Sequence, residues 1–425
     1  MRTVMRTILV VILPAAMALA QDDLSGDWMV SIYESERPNI TRMVLKVEGD
    51  KLTGWVRGRA LTGTINGNQI EFKVGNAPAK GVFEQGELKG EGTFGGRTVT
   101  WKAVRLPKRP SQPQTHDFEP SEFHLYFSSS IKPALRIHQG DTVRTWSVDA
   151  GGNDKEGKRR SPGGNPQTGP FYVEQALPGD TLVVRLDRVR LNRDWAVSGA
   201  TIMRNTLEPW SLGDLKWTEG FKSRWKLERE AGVGRLEEPT DKLRNFSVPL
   251  QPMLGCVSVA PSGDWSIRTT DSGRFGGNMD YNQIKEGTTL YLPVYHPGAL
   301  LFVGDGHAAQ GDGELTGDAL ETSMDIQFTV DVIPGKQFGH PLAENTTHLI
   351  SIGIAGSLEQ ALQMATSGMM QWLERDYKLS PSESAMILGF AIQYDVADLV
   401  GTQVSIAAKL PKTSLQKLDR PQPSP

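Results

Sequence analysis

The chain holds a single cysteine, Cys256, in 425 residues, so no internal disulfide can form and packing alone must stabilise the fold. A lone Cys of this kind reads as a small buried hydrophobe rather than a reactive thiol. After residue 20, no stretch approaches the ~20 apolar residues that a membrane span requires. Charge of one sign is also scarce. The net charge is −3, with neither a basic surface nor an acidic tail, which argues against nucleic acid as a partner. Tandem repeats are missing, and biased composition is confined to one Pro-rich segment and the terminal "RPQPSP". No Gly-x-Ser-x-Gly nucleophile elbow occurs. "GKRRSPGG" (157–164) lacks the Gly-Lys-Ser/Thr ending of a phosphate-binding loop and reads as a solvated charged loop.

The length suits two or three domains, enough to bury a substantial core. Residues 1–20 place Arg2 and Arg6 before the apolar run Ile8 to Leu13 and the small-residue end Ala18-Leu19-Ala20. That is the pattern of a secretory signal peptide, so a mature start at Gln21 and a periplasmic or secreted location are expected. Removing Arg2 and Arg6 takes the net charge two units further, to −5.

From residue 21 to 106 the text alternates apolar and polar residues in short runs separated by turn signals. Met43, Leu45 and Val47 lead into Gly49-Asp50, Asn66-Gly67-Asn68 separates two further runs, and Gln85-Gly86 two more. This predicts an antiparallel β meander with one buried face. Its opening Gly26-Asp27-Trp28 resembles the Gly-x-Trp start of lipocalin-type barrels, where the Trp plugs one end. About 80 residues is short for an eight-stranded ligand barrel, so an accessory, barrel-like β-domain is expected. Residues 107–117 carry repeated Pro with polar neighbours and read as an extended linker. A second domain follows over 118–412. Its strands are expected around 134–137, 143–148, 181–186, 289–294, 300–303 and 325–332, with a flexible tail over 413–425. Ser357-Leu358-Glu359-Gln360 and Ser380-Pro381-Ser382-Glu383 each match a capping box. Behind them, one face is expected through Leu358, Ala361, Leu362, Ala365, Met369, Trp372 and Leu373, and another through Ala385, Met386, Phe390 and Ala391. The fold class is mainly β (α+β), with two C-terminal helices packed on the sheet core.

The stretch "GDGHAAQGDGE" (304–314) concentrates ionisable groups on a Gly-rich segment. Residues two apart on a strand share a face, so Asp305 and His307 can point together, as can Asp312 and Glu314 on a returning arm. Carboxylates plus an imidazole suit a divalent metal, with zinc plausible because it accepts both donor types. The same stretch can equally be a solvated Gly-Asp turn or a calcium loop.

Several long motifs carry a resemblance. Residues 276–321, "GGNMDYNQIKEGTTLYLPVYHPGALLFVGDGHAAQGDGELTGDALE", resemble the signature region of the acetamidase/formamidase family. So do "HLYFSSSIKPALRIHQGDTV" from His124, "SVDAGG" around Asp149, "NPQTGPFYVEQALPGDTL" from Asn165 and "GCVSVAPS" from Gly255. The resemblance runs in order from about residue 118 to the C-terminal helices. It implies a β-rich hydrolase of short aliphatic primary amides, releasing ammonia and a carboxylate with the help of a divalent metal. With it, Asp149, Asp305 and His307 are expected as metal ligands, Glu314 as proton shuttle, and His124 as a ligand or an orienting hydrogen bond. Asn278, Asp280 and Gln310 are expected to hold the substrate amide or orient the groups that do, unless they are simply turn residues. A homo-oligomer is expected on symmetry and family grounds. Two departures stand out: Thr316 and Asp318 occupy positions where many members carry Cys and Thr. These leave two alternatives open, a hydrolase of a bulkier amide and a catalytically inactive metal- or ligand-binding protein.

Overall fold

The computed structural model describes residues 24–418; the expected signal peptide lies outside the described residues, as does the chain beyond 418. The chain divides into two compact units at Leu106/Pro107.

In the first unit eight strands follow one another: β1 (Gly26–Tyr33), β2 (Asn39–Glu48), β3 (Lys51–Val56), β4 (Arg59–Asn66), β5 (Gln69–Val74), β6 (Ala77–Glu84), β7 (Glu87–Phe94) and β8 (Arg97–Arg105). They form a closed barrel in which β8 pairs back onto β1, from Trp28↔Arg105 to Tyr33↔Thr100. The sequence suggested a segment too short for eight strands around a ligand. It closes because every junction from β2 onward is only two residues long. Arg57-Gly58, Gln85-Gly86 and Gly95-Gly96 hold positive φ at both positions, the mirror-image turn geometry whose twist matches that of the paired strands. Alternation does the rest: Leu61, Ile65, Ile70 and Phe72 are buried inside, while Thr62, Glu71 and Lys73 face out. Trp28 is fully buried, its indole Nε1 donates to the Leu24 carbonyl at 3.1 Å, and the Arg105 guanidinium lies 4.6 Å from its ring centroid.

The second unit is built on two large sheets among the described residues, of eleven and nine strands. In the first, Leu301–His307 lies between Met253–Ser258 and Glu321–Thr322, with Gly276–Asn278 one strand further out. The second carries Thr181–Leu191, Met324–Ile333, Thr289–Pro293 and His348–Ala355. Leu254, Cys256 and Phe302 from one sheet and Leu182, Phe328 and Ile350 from the other join a single buried core. Cys256 is part of it, as expected of a lone structural thiol. The end of the expected linker is not free chain. Thr115–Asp117 is an edge strand paired in parallel with Thr142–Ser147, and the Gln114 N–H donates to the Asp141 carboxylate.

Two helices close the unit, α1 (Leu358–Tyr377) and α2 (Pro381–Ala391). Ser357 accepts from the Gln360 N–H, and Ser380 and Glu383 form a reciprocal capping box behind Pro381. On α1 the buried face runs through Ala361, Ala365, Met369, Trp372 and Leu373, largely as the spacing predicts; Leu358 and Leu362 remain exposed. On α2 the expected face is overturned: Ser384 and Leu388 are buried, while Met386 and Phe390 are exposed. The start of the tail expected from 413 is ordered, because Lys412–Leu415 form a helical turn that buries Leu415 against the helices' core. No helix of the described residues is long and apolar enough to cross a membrane.

Trp28→Ala should destabilise the barrel by about 3–5 kcal/mol, the usual cost of removing a fully buried aromatic side chain. Denaturant unfolding of the whole chain, followed by circular dichroism, should show an early transition for the barrel; coincidence with the parent curve would deny Trp28 that role.

Candidate metal centre

All seven residues of Leu301–His307 are buried. Gly304 and Gly306 turn toward Gln167 and Met324, where a Cβ would approach within 2.8 Å. Asp305 and His307 therefore share the other face, as their spacing suggests. Across the ladder, Met253 pairs with His307 and Cys256 with Gly304, leaving Gly255 beneath the acidic residues. A Cβ on Gly255 would lie 2.3 Å from Asp280 Oδ1, 2.6 Å from Asp305 Oδ2 and 2.9 Å from His307 Cε1. Three polar side chains thus converge on a space that only glycine leaves open.

Two overlapping sets result, Asp280–His307–Glu314 and Asp305–His307–Glu321, with candidate ligand atoms within 4.8 Å of one another in each. His307 Nε2 stands 3.2 Å from Glu321 Oε1 and 3.5 Å from Asp305 Oδ1. Its Nδ1 donates to Gln310 Oε1 at 2.8 Å, and Gln310 in turn donates through Nε2 to the Asp280 carbonyl. This pairing fixes the imidazole with Nε2 free to act as a ligand. Asn165 donates to both Asp305 Oδ2 and Asn278 Oδ1, at 3.0 Å each, and Asn278 donates to Asp280. Asp280 Oδ1, Asp305 Oδ1 and Glu321 Oε2 are buried without a hydrogen-bond partner among the described residues. The set opens on a cavity of about 510 Å³ lined also by Asn165, Ser198, Asp318 and Gly401.

The backbone is strained here as well. Asp280, Asp305 and Glu314 have φ of 41°, 59° and 48°, in the left-handed region that costs a non-Gly residue of order 1 kcal/mol or more. Carboxylates packed together and withdrawn from solvent must take up protons or hold a cation. Burial pushes Glu314 up to about 8 and Glu321 up to about 7. Asp280 is driven well above the carboxylate range by burial and by Glu314 and Asp305. For His307 burial favours the neutral ring, yet Glu321 and Asp305 outweigh it and raise the imidazole well above its ordinary value. The buried oxygens, the cradle over Gly255 and the mixed O/N donors fit a divalent cation, with Asp305, His307 and Glu321 available as ligands.

Several sequence expectations change. Asp149 is not in either set: its carboxylate accepts from Arg193 Nη2 at 2.7 Å and from the Asn153 N–H at 2.8 Å, a buried ion pair with no oxygen to spare for a metal. Arg193 also donates to the Glu321 carbonyl and to Thr322, so this pair buttresses the strand that carries Glu321. His124 is likewise outside the sets; its backbone bridges Gln167, and its half-buried ring meets Phe302 edge to face. Asp312 and Glu314 do not share a face, because the returning segment is a loop: Asp312 is exposed beside Asn282 while Glu314 is buried. Asp280, expected to hold substrate, stands inside the acidic set, whereas Gln310 and Asn278 bond its members. Glu321 was missed. It lies fourteen residues beyond His307, yet the two pair directly across adjacent strands. The only sequence signal for it was its place at the end of the 276–321 motif. Asp398, also unmarked in the sequence, is buried near the Glu314 loop, where Leu399 N–H donates to the Gly313 carbonyl.

Gly255→Ala should remove bound metal, since the added methyl takes the space of the converging oxygens. Metal analysis after gel filtration should find near-stoichiometric divalent ion in the parent and almost none in the variant; equal content would place the metal elsewhere. A second expectation concerns pH. Carboxyls with raised folded pKa bind more protons folded than unfolded, so the metal-stripped protein loses stability as pH rises from about 5 to about 8. The raised His307 acts in the same direction, its contribution being lost as pH climbs through its folded value. Melting of the chelator-treated protein should drop by several degrees across that window, and saturating zinc should reverse the trend at the upper end; a flat profile would contradict the cluster's electrostatics.

Residues 259–349 match the Acetamidase/Formamidase family. A Schizosaccharomyces pombe protein described as a formamidase is 25% identical over 252 residues, 47% of this chain and 61% of its own. The acetamidase of Mycolicibacterium smegmatis is 34% identical over 105 residues, 23% of this chain and 26% of its own. The chain therefore spans less than two thirds of these curated relatives. The crystal structure of an acetamidase from Yersinia enterocolitica aligns over 72% of this chain and 94% of its own, with a TM-score of 0.61 at 27% identity. Together with the β-rich core, these likenesses place the second unit's resemblance with the acetamidase/formamidase family.

Proposed function

We propose that the second unit hydrolyses the C–N bond of a primary amide, giving a carboxylate and ammonia, with a divalent cation held by Asp305, His307 and Glu321. The observation that carries this reading is the convergence of Asp280, Asp305 and His307 over Gly255, at the floor of a cavity large enough for a substrate. The likeness to proteins named formamidase and acetamidase supports amide hydrolysis as the reaction. A cation bound there would polarise the amide carbonyl and acidify a water, zinc being the first expectation and calcium the alternative.

The chain's own groups supply the rest. Glu314, pushed up to about 8 by burial, can carry a proton near neutral pH. In its ionised form it takes the proton of the water whose oxygen bonds to the carbonyl carbon. It then delivers that proton to the amide nitrogen as the C–N bond breaks. Gln310 holds the His307 ring, and Asn165 and Asn278 hold the Asp305 and Asp280 carboxylates. Export, suggested by residues 1–20, remains part of this proposal.

Ammonia release from formamide and acetamide by the purified chain, before and after chelation and metal restoration, tests the reading. Turnover should vanish with chelation and return with metal. Glu314→Gln should keep its metal and lose turnover by about 100-fold or more, the usual range for a proton-transfer group. Full turnover in that variant would remove Glu314 from the role, and a metallated protein inert toward all amides would leave a binding protein instead.

A further inference from the structure

A second cavity, of about 500 Å³, adjoins the acidic one. Ser198, Glu314 and Asp318 line both. Away from these shared residues one side of it is apolar, formed by Trp225, Phe246, Val248 and Leu315, while Gln251, Gln310, Asp312 and Thr316 line the rest. Trp225 and Phe246 form an edge-to-face pair with ring centroids 6.2 Å apart. Trp225 is anchored by its indole Nε1 on Ser198 Oγ at 3.0 Å and packs on the small core around Ala196 and Leu320. Phe246 and Leu315 are left 47% and 42% exposed at the rim. Exposed apolar side chains gathered beside a polar site mark a binding surface more often than scattered single ones do.

Formamide or acetamide would fill only a corner of the acidic cavity and would not reach this wall. Pockets of roughly 300–1,000 Å³, apolar with a few convergent polar groups, suit much larger molecules. Leu315 follows Glu314 directly in the chain, so a group resting on Leu315 sits beside the carboxylate that handles the proton. Resting on the amide-hydrolysis reading above, we propose that the substrate is a primary amide with an aromatic acyl group. Its ring lies in the trough between Trp225, Phe246 and Leu315, and its carboxamide reaches the acidic set.

The zinc-loaded full chain should show kcat/KM for phenylacetamide at least tenfold above that for acetamide. Phe246→Ala should lower that ratio by about tenfold, an effect on the scale at which apolar pockets discriminate. Leu315→Asp, at an exposed position where folding is not at stake, should lower it similarly. Calorimetry on the zinc-loaded Glu314→Gln variant, free of turnover, should show phenylacetamide binding at least tenfold more tightly than acetamide. A ratio near one or favouring acetamide, or variants that leave it unchanged, would overturn the proposal, as would a second copy of the chain covering the trough. If no amide is turned over, the hydrolysis reading fails by itself and calorimetry decides the trough: tenfold preference for phenylacetamide upholds it as the aryl site, and equal or absent binding overturns it.

Discussion

The structure of the second unit depends on one crowded point, the space above Gly255. Asp280, Asp305 and His307 converge there with Glu314 and Glu321 close by, all buried, and such a gathering is stable only when protons or a cation balance it. Everything nearby serves that arrangement. Gly304 and Gly306 let the central strand sit close to its neighbours, and Gln310 and Asn165 spend their amides on ring and carboxylate atoms rather than on solvent. The strained backbone at Asp305 is tolerated because strands on both sides over-determine it.

The buried Arg193–Asp149 pair shows how a structural ion pair can imitate a site. Both side chains are almost fully withdrawn from solvent, and every oxygen of Asp149 is used. Removing either partner would leave a buried charge, so the pair is held for integrity. Its second contact, from Arg193 to the backbone of Glu321, ties that integrity to the acidic centre. A residue can thus matter to the chemistry without touching it.

The first unit follows a simpler logic. Two-residue turns keep its strands in tight register, alternation sorts its residues inside and out, and Trp28 fills one end under Arg105. Its strand pairing is between neighbours in sequence except for closure of β8 on β1, which is why so much of it could be read from local pattern.

That contrast runs through the whole chain. By itself the sequence determined the β meander, because period-two alternation and Gly-bearing turns are local. It also determined both helix starts, because Ser357 and Ser380 cap within one turn, and the shared face of Asp305 and His307, because their spacing is local too. Tertiary structure alone decided that Glu321 rather than Asp149 completes the acidic set: strand pairing brings Glu321 to His307, while Arg193 claims Asp149. It also decided which stripe of α2 meets the sheet, since Leu388 and Met386 fit helical spacing equally well and only the packed neighbours distinguish them. Local pattern fixes which atoms can face together; the long-range pairing of strands decides which of them meet, because that choice is made by the free energy of the whole packed core.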